Sequence, residues 1–285
     1  MAKKIMLQGT SSGAGKTTIA LALCRIFHQD GFKVAPFKSQ NVTSNTSKTK
    51  NGDEIAISQL LQAYAAGAEP SAQMNPVVLN MSGGEGTQVI LNGKPYGRVN
   101  SQELSEMKIP VLLPEILKAY ESLDEQYDII VIEGAGSPVE LNLNTNDIVN
   151  MGIATRLDAP VLLIGDIDRG GVFASLYGTI ALYTDEERAL VKGTIVNRFK
   201  GDLQRFEDGK ALLESICKIP VAGVIPYIDI DLPEEDDLVA RPAGPVLQNT
   251  ALTDSTPFAP EFDRIAEIIR QALDMELIYR IINNE

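Results

Sequence analysis

Cysteine, histidine and tryptophan are scarce in this sequence, and their scarcity excludes several kinds of chemistry. The 285 residues include 2 cysteines, 1 histidine and no tryptophan. Cys24 and Cys217 lie far apart on predicted helices, so we expect reduced thiols in a cytoplasmic protein and no disulfide framework. His28 lies at the polar end of a predicted helix without metal-ligand spacing around it. This excludes zinc sites and Ser–His or Cys–His triads.

Basic residues and long apolar runs are also in short supply. Lys and Arg number 25 against 38 Asp and Glu, which gives a net charge of −13. Nucleic acids and anionic membranes attract basic surfaces, so the charge argues against both as partners. No stretch has the length and apolarity of a signal peptide or a membrane-spanning helix. The 44% of hydrophobic residues still supplies ample material for a core.

A glycine-rich loop near the amino end is the strongest motif. A short apolar strand, 5–7, leads into it, and an amphipathic helix, 19–27, follows it. Its residues are Gly9, Thr10, Ser11, Ser12, Gly13, Ala14, Gly15, Lys16, Thr17 and Thr18. Backbone N–H groups at a helix N-terminus hold phosphates, and glycine lets the main chain approach them closely. The motif predicts ATP or GTP binding, with Lys16 on the terminal phosphates and Thr17 on Mg²⁺. Five residues separate Gly9 from Gly15, where four are usual.

Charged side chains stand at the ends of two further predicted strands. Lys38 ends the strand 33–38, and Glu133 ends the continuous apolar strand 127–133. Ligands bind at the carboxyl ends of strands in open α/β sheets. We therefore predict that Lys38 contacts a phosphate or carboxylate and that Glu133 is a second Mg²⁺ ligand. The alternatives are a solvated lysine and a chance acid at a strand end.

Two more predicted strands end in polar residues. The strand 160–166 runs into Asp168-Arg169-Gly170-Gly171, which suits anion recognition, although a plain turn closed by an Asp–Arg ion pair is an alternative. The strand 193–197 ends in Asn197, whose amide is placed to read a base edge, and Arg198 follows it.

Strands alternate with helical patterns along the chain, and 221–226 is a sixth parallel candidate. This order predicts an α/β fold, a mostly parallel sheet flanked by helices on both faces. Asn92-Gly93 predicts the turn of a hairpin in a small insertion. Polar residues 39–53 are predicted to be a loop, and 54–66 a helix with Glu54 at its N-terminus. Further helices are predicted at 110–123 and 147–157.

The C-terminal part has its own organisation. Residues 1–240 are predicted to form one domain, and within it Glu234–Asp237 form a solvated acidic loop. Residues 241–260, rich in Pro, Thr and Ala, are predicted to be a linker. In 261–285, apolar spacing of i, i+3, i+4 predicts one amphipathic helix, which either covers the domain or faces a partner.

Several stretches carry a resemblance to a known family. The glycine-rich loop, with its extra residue, resembles that of dethiobiotin synthetase and its relatives. More specific stretches are Ala35-Pro36-Phe37-Lys38-Ser39-Gln40-Asn41, Gly52-Asp53-Glu54-Ile55, Met74-Asn75-Pro76, 133–143, 165–174 and 195–202. Over roughly residues 3–240 the chain resembles the synthetase domain of the cobyric acid synthase family.

The resemblance implies a dethiobiotin synthetase-like P-loop fold and an ATP-dependent ligase. That family amidates the b, d, e and g carboxylates of adenosylcobyrinic acid a,c-diamide to give adenosylcobyric acid in cobalamin biosynthesis. The implied mechanism is phosphoryl transfer from ATP to a carboxylate, after which ammonia displaces the phosphate.

The resemblance also implies roles for individual residues. The loop and Lys16 would hold the phosphates, and Lys38 would neutralise the transferring phosphoryl group or the substrate carboxylate. The metal ligands would be Thr17, Glu54 and Glu133. Asn197 and Arg198 would contact the nucleotide. Substrate-side residues would be Asn41, Gln59, Gln62, Asp168 and Arg169.

The chain departs from the family in its C-terminal part. The family carries a glutaminase domain whose Cys–His pair releases ammonia, and this chain has neither the length nor the histidine for it. We expect ammonia to be used directly or supplied by a separate glutaminase subunit, unless the chain is a degenerate member. Ser39 and Asn80 stand where the family has Pro and Lys.

Two other functions remain open at this point. One is a dethiobiotin synthetase-like ligase, although the long loop 39–53 and the insertion 74–100 argue against so small a substrate. The other is a nucleotide-switch protein that acts through a partner. A homodimer is also expected, because relatives build the site near a subunit interface.

Overall fold

The computed structural model describes residues 1–82, 85–141, 146–232 and 256–285. The strands are β1 (Lys3–Gly9), β2 (Val34–Phe37), β3 (Gln40–Val42), β4 (Thr46–Lys48), β5 (Glu54–Ala56), β6 (Val77–Asn80), β7 (Thr87–Leu91), β8 (Lys94–Val99), β9 (Ile129–Glu133), β10 (Val161–Asp166), β11 (Val191–Phe199) and β12 (Val221–Pro226). The α-helices are α1 (Lys16–Gln29), α2 (Ile57–Ala65), α3 (Ser101–Met107), α4 (Leu113–Asp124), α5 (Met151–Leu157), α6 (Val172–Leu182), α7 (Asp185–Leu190), α8 (Glu207–Cys217), α9 (Ala259–Ala272) and α10 (Met275–Asn283).

A six-stranded parallel sheet lies at the centre of the protein. Its strand order is β12-β11-β10-β1-β9-β2, and every neighbouring pair runs parallel. The strands are buried and apolar because helices cover both faces. The predicted α/β fold is therefore confirmed.

Two apolar cores lie on opposite faces of this sheet. Successive side chains of a strand point to opposite faces. In β1, Met6 therefore joins one core, while Ile5 and Leu7 join the other. Helices α4, α5, α6 and α8 complete the first core, and α1, α9 and α10 complete the second. Each fully buried side chain of this kind contributes roughly 1.5–3 kcal/mol.

The strand order creates a crevice at the carboxyl end of β1. Strands β9 and β2 lie on one side of β1, and β10, β11 and β12 lie on the other. Connections that leave a central strand in opposite directions open such a crevice, and ligands bind there. The glycine-rich loop follows β1 at this point.

A second sheet, of order β3-β6-β7-β8, carries the predicted hairpin. Strands β7 and β8 pair antiparallel through the turn Asn92-Gly93. Both turn residues have positive φ, 48° and 75°. This is the conformation of the tight hairpin turn that Asn-Gly favours. The prediction of a hairpin insertion is confirmed.

The segment 39–66 differs from its prediction. Residues 39–53 contain β3 and β4 where a loop was predicted, and β5 pairs antiparallel with β4. Glu54 therefore lies in a strand, and α2 begins only at Ile57. The reason is cross-strand pairing, Ser47 opposite Ile55, which short polar strands do not reveal through hydrophobic periodicity.

Helix α3 was not predicted, although its cap is visible in the sequence. The Asn100 side chain accepts the N–H groups of Gln102 and Glu103, and the Glu103 carboxylate accepts the N–H of Asn100. This reciprocal pair is a capping box. A π-helical turn, Lys108–Leu112, then leads into α4 and confirms the helix predicted at 110–123.

Helix α5 begins later than predicted. Asp147 was expected to be its first residue, but the helix starts at Met151. The Asp147 carboxylate accepts the backbone N–H groups of Val149, Asn150 and Gly152. The side chain therefore holds the turn that precedes the helix, as short acidic residues often do.

The C-terminal segment forms two helices, α9 and α10, where one was predicted. Asp274 begins α10 by accepting the N–H of Leu277, and Leu273 forms a β-bridge with Gly223 of β12. This bridge ties the break between the helices to the sheet. Helix α9 packs on α1 and β12, and α10 packs on β1, so the pair covers the domain.

The predicted linker 241–260 and the acidic segment Glu234–Asp237 fall mostly outside the described residues. Of the linker, 241–255 lie outside them. The last residues, 256–260, form a 3₁₀ turn and the start of α9, so the linker was predicted too long at this end. The domain boundary at 240 stays a prediction.

Ion pairs hold the C-terminal helices against α1. Arg270 and Tyr279 donate to Asp30, and Arg25 donates to Asp263 at 2.7 Å. Burial alone would raise the pKa of Asp30, but the hydrogen bonds from Arg270 and Tyr279 hold that pKa below its ordinary value. The hydrogen bond from Arg25 likewise lowers the pKa of Asp263.

We expect acid to weaken these helix contacts. A carboxyl group whose pKa is lowered in the folded state stabilises the protein above its ordinary pKa, and that stability is lost as the pH falls through the lowered value. The melting temperature should therefore decrease once the pH is lowered below about 4. Circular dichroism melts should show a smaller acid loss in the Asp30→Asn/Asp263→Asn variant. An unchanged acid loss in that variant would contradict the assignment.

Cys24 and Cys217 lie on α1 and α8, as predicted, and both are free and buried. Burial raises the pKa of the Cys24 and Cys217 thiols, which disfavours the reactive thiolate. His28 is exposed. Among the described residues, no helix is both long enough and apolar enough to cross a membrane.

Candidate nucleotide site

The glycine-rich loop connects β1 to α1 in the predicted strand, loop, helix order. Gly13 and Gly15 have φ of 71° and 103°, a region that favours glycine. Gly15 precedes the first residue of α1. A Cβ atom on Gly15 would overlap the side-chain amide of Asn197. The loop therefore combines the backbone N–H groups of a helix start with a close approach that only glycine allows.

The Lys16 side chain folds back over the glycine-rich loop. Its Nζ donates to the carbonyl oxygens of Ser11 at 3.2 Å and Gly136 at 2.9 Å. The side chain is buried. An ammonium group in this place lies within the crevice and faces the loop, where a bound phosphate would meet it.

A buried ion pair lies next to this lysine. The Glu133 carboxylate, at the end of β9, accepts from Thr17 Oγ1 at 2.8 Å and from Lys38 Nζ at 3.0 Å, both through Oε1. Glu133 is 1% exposed and Lys38 5%. Strands β2 and β9 are neighbours in the sheet, so their carboxyl ends bring these two residues together. Thr17, Lys38 and Glu133, which were predicted separately, thus form one cluster at the carboxyl edge of the sheet.

The predicted substrate residues on α2 lie behind this cluster. Gln62 Nε2 donates to Glu133 Oε2 at 2.6 Å, and Gln59 Nε2 donates to Gln62 Oε1 at 3.0 Å. Both glutamine side chains are fully buried. Asn41, on β3, is buried and donates to Ser58 at 3.3 Å. Gln62 therefore contacts Glu133 directly, and Gln59 is connected to Glu133 through Gln62.

Asn197 contacts the loop. Its Nδ2 donates to the carbonyl oxygen of Ala14 at 2.8 Å. The amide that was predicted to read a base therefore uses this donor to hold the loop in place. Arg198 follows with φ of 61° and forms an ion pair with Asp166 at 2.7 Å.

The turn after β10 contains a different ion-pair pattern from the one anticipated. Asp168 pairs with Lys200 at 2.7 Å. Arg169 lies 3.6 Å from Asp166, three residues earlier, and its side chain is exposed. The alternative of a turn closed by an Asp–Arg pair is therefore present, with Asp166 as the acid.

Glu54 contacts a different residue from the other two predicted metal ligands, Thr17 and Glu133, which contact each other. Its Oε1 accepts from Thr46 Oγ1 at 2.6 Å, across the β4–β5 pair. Among the described residues, no three His, Cys, Asp or Glu side chains group together as a metal site. Mg²⁺ commonly takes one or two protein oxygens and completes its shell with water and phosphate. The adjacent oxygens of Thr17 and Glu133 fit that ligand set.

Two residues near the loop were not singled out from the sequence. Asn150 donates to the carbonyl oxygen of Ala135 at 2.7 Å and accepts its N–H at 3.2 Å, which orders the turn after β9. Asp166 is buried at the end of β10. Its position at a strand end was visible in the sequence, whereas the role of Asn150 depends on a contact across the fold.

Residues 5–239 match the family described as CbiA, the CobQ/CobB/MinD/ParA nucleotide binding domain. The chain belongs to the CbiA family. This confirms the nucleotide-binding P-loop fold predicted from the glycine-rich loop.

Curated relatives of this CbiA-family chain confirm the more specific resemblance. Cobyric acid synthase of Lachnoclostridium phytofermentans is 53% identical over 245 residues, which cover 85% of this chain and 48% of the relative. That of Ruminiclostridium cellulolyticum is 53% identical over 241 residues, 85% of this chain and 47% of the relative. The chain thus spans about half the length of the curated relatives it matches. Among solved structures, FtsY from Mycoplasma mycoides aligns with a TM-score of 0.42 at 16% identity, over 79% of this chain and 60% of that one.

Proposed function

We propose that this CbiA-family chain catalyses the ATP-dependent amidation of peripheral carboxylates of a corrinoid. The substrate would be adenosylcobyrinic acid a,c-diamide, and the b, d, e and g carboxylates would be converted to amides. The similarity to cobyric acid synthases at 53% identity supports this assignment. The observation that carries it is the buried Lys38–Glu133–Thr17 cluster beside the glycine-rich loop, which is the phosphate loop of the proposed site.

The proposed reaction has two steps. In the first, a substrate carboxylate oxygen forms a bond to the γ-phosphorus of ATP, and the bond from that phosphorus to the β–γ bridging oxygen breaks, so ADP leaves. In the second, the nitrogen lone pair of ammonia attacks the acyl carbon. The C–O bond to phosphate breaks, inorganic phosphate leaves, and the nitrogen loses a proton to solvent. The product is a primary amide.

The residues of the site have distinct parts in this scheme. The loop backbone and Lys16 bind the phosphates, and Lys38 offsets charge on the transferring phosphoryl group or the attacking carboxylate. Thr17 and Glu133 would hold Mg²⁺, which when bound would neutralise negative charge on the phosphates. Gln62 orients Glu133 by its hydrogen bond at 2.6 Å. Glu54, whose Oε1 accepts from Thr46, is kept as a candidate third metal ligand through its other carboxylate oxygen.

The other parts of the proposal concern partners. Asn41 and Asp168 are kept as corrinoid contacts, and nucleic acid and membranes are not proposed as partners. Ammonia is taken from solution or from a separate glutaminase subunit. A homodimer in the cytoplasm is proposed, and sedimentation of the purified chain would test the oligomeric state.

Mass spectrometry of the corrinoid tests the proposed function. The protein is incubated with adenosylcobyrinic acid a,c-diamide, Mg·ATP and ammonium, and a parallel reaction contains glutamine in place of ammonium. We expect stepwise conversion of carboxylates to amides with ammonium only, and a loss of about a thousandfold in Lys16→Ala. Product with glutamine alone would show that a glutaminase activity is present. Absence of product despite ATP binding would overturn the proposal and favour a partner-dependent subunit or a nucleotide switch.

A further inference from the structure

An aspartate at the end of β10 connects two arginines beside the phosphate loop. Asp166 Oδ2 accepts from Arg198 at 2.7 Å and lies 3.6 Å from Arg169 Nε. Its Oδ1 accepts the backbone N–H of Asp168 at 2.9 Å. The Asp166 side chain is 4% exposed. One buried carboxylate therefore orders both the turn after β10 and the end of β11.

Asp166 holds Arg198 more firmly than it holds Arg169. Arg198 adopts a left-handed backbone conformation, which is strained for a residue other than glycine and persists where surrounding contacts enforce it. The 3.6 Å pair of Arg169 is too long for a good hydrogen bond, and 67% of its side chain is exposed. A guanidinium group carries five N–H donors. Arg169 therefore retains donors that it can offer to a ligand, whereas Arg198 fixes the strand end.

Arg169 lies against the phosphate loop. Its guanidinium nitrogen is 3.8 Å from the position that a Cβ atom on Gly13 would occupy. It follows β10, on one side of β1, whereas Lys38 follows β2 and Glu133 ends β9 on the other side. A triphosphate on the loop would thus have Lys38 on one flank and Arg169 on the other.

We propose that Arg169 contacts the terminal phosphate of the bound nucleotide and that Asp166 is the positioning residue that aims it. The inference rests on the nucleotide binding in the proposed function, and it moves Arg169 from the corrinoid side to the ATP side. A guanidinium fork binds phosphate oxygens in pairs. Asp166 can aim Arg169 through Nε while a terminal nitrogen of the same guanidinium, Nη2, faces the loop.

Nucleotide affinities of the full chain test this inference without any corrinoid. Isothermal titration calorimetry is carried out with Mg²⁺ and either ADP or the β,γ-imido analogue of ATP. The difference in affinity between the two nucleotides measures the contribution of the terminal phosphate to binding. We expect Arg169→Ala to weaken binding of the ATP analogue by about tenfold and that of ADP by less than about threefold. Arg169→Lys should fall between, because it keeps the charge but loses the fork. Arg188→Ala is the control, since Arg188 forms a similar (i, i+3) pair with Asp185 on α7.

Asp166 is tested through its dependence on Arg169. Asp166→Asn should lower the preference for the ATP analogue over ADP, and adding this change to Arg169→Ala should lower the preference no further. An unchanged preference in Arg169→Ala, or a further loss in the double variant, would overturn the proposal. So would a wild-type chain that does not prefer the ATP analogue. Formation of corrinoid amides is measured separately, so a failed amidation with an intact Arg169 effect would reject only the proposed function.

Discussion

Replacing Lys38 with methionine should lower the free energy of unfolding of the nucleotide-free protein by about 3–5 kcal/mol. The change removes the cation that lies 3.0 Å from the Glu133 carboxylate, which is 1% exposed. A buried charge that loses its partner costs far more than an exposed one, because water cannot replace the lost contact. Urea unfolding followed by circular dichroism would measure the effect, since the chain has no tryptophan.

The double variant Lys38→Met/Glu133→Gln identifies the cause. Glutamine is neutral and has nearly the shape of glutamate, so it should recover at least half of the loss if an uncompensated carboxylate is responsible. Lys50→Met is a matched control, because Lys50 also pairs with a glutamate, Glu69, but both side chains are exposed. Exposed ion pairs contribute little. A Lys38→Met variant as stable as Lys50→Met would contradict the argument.

Replacing Gly15 with alanine should weaken nucleotide binding by about a hundredfold. The new Cβ atom would overlap the Asn197 amide, which donates to Ala14 at 2.8 Å, and φ of 103° is unfavourable for alanine. Either Asn197 or the loop must move, and the backbone N–H groups would then no longer converge on the phosphates. Titration with Mg·ATP measures the change, and a thermal melt shows whether the fold is kept.

Gly31→Ala is the control for this substitution. Gly31 also has positive φ, 92°, but no atom from elsewhere in the described residues lies within 4 Å of the position its Cβ would take. It follows α1 at the end away from the loop. We expect a stability loss of about 1 kcal/mol from backbone strain and unchanged nucleotide affinity. If Gly15→Ala bound nucleotide within threefold of the wild type, or Gly31→Ala bound it equally weakly, the steric argument would be wrong.

Much of the candidate site follows from local pattern. Lys16 and Thr17 were located because the strand, the glycine-rich loop and the helix are contiguous in the chain. Lys38 and Glu133 were located because each ends an apolar strand, and the carboxyl ends of parallel strands meet at one edge of the sheet. The structure brings Thr17, Lys38 and Glu133 into direct contact, and Lys16 donates to Gly136, three residues after Glu133.

Other residues lie where local pattern could not place them. Gln62 was assigned to the substrate on resemblance, whereas in the structure it donates to Glu133, 71 positions away in the chain. Glu54 was expected at a helix N-terminus, but pairing with β4 holds it in a strand. Asp166 was not predicted as a site residue, because an acid at a strand end has no evident partner until β11 is placed beside β10.

The sequence by itself determined the α/β fold, the phosphate loop and the residues at the strand ends. These features depend on periodicity, glycine placement and helix starts, which are properties of neighbouring residues. Only the tertiary structure decided which side chains share the Glu133 carboxylate, how Asp166 serves two arginines, and where the C-terminal helices pack. Those contacts depend on strand order and register, because most of them join residues from 32 to 249 positions apart that approach each other only after the sheet has assembled.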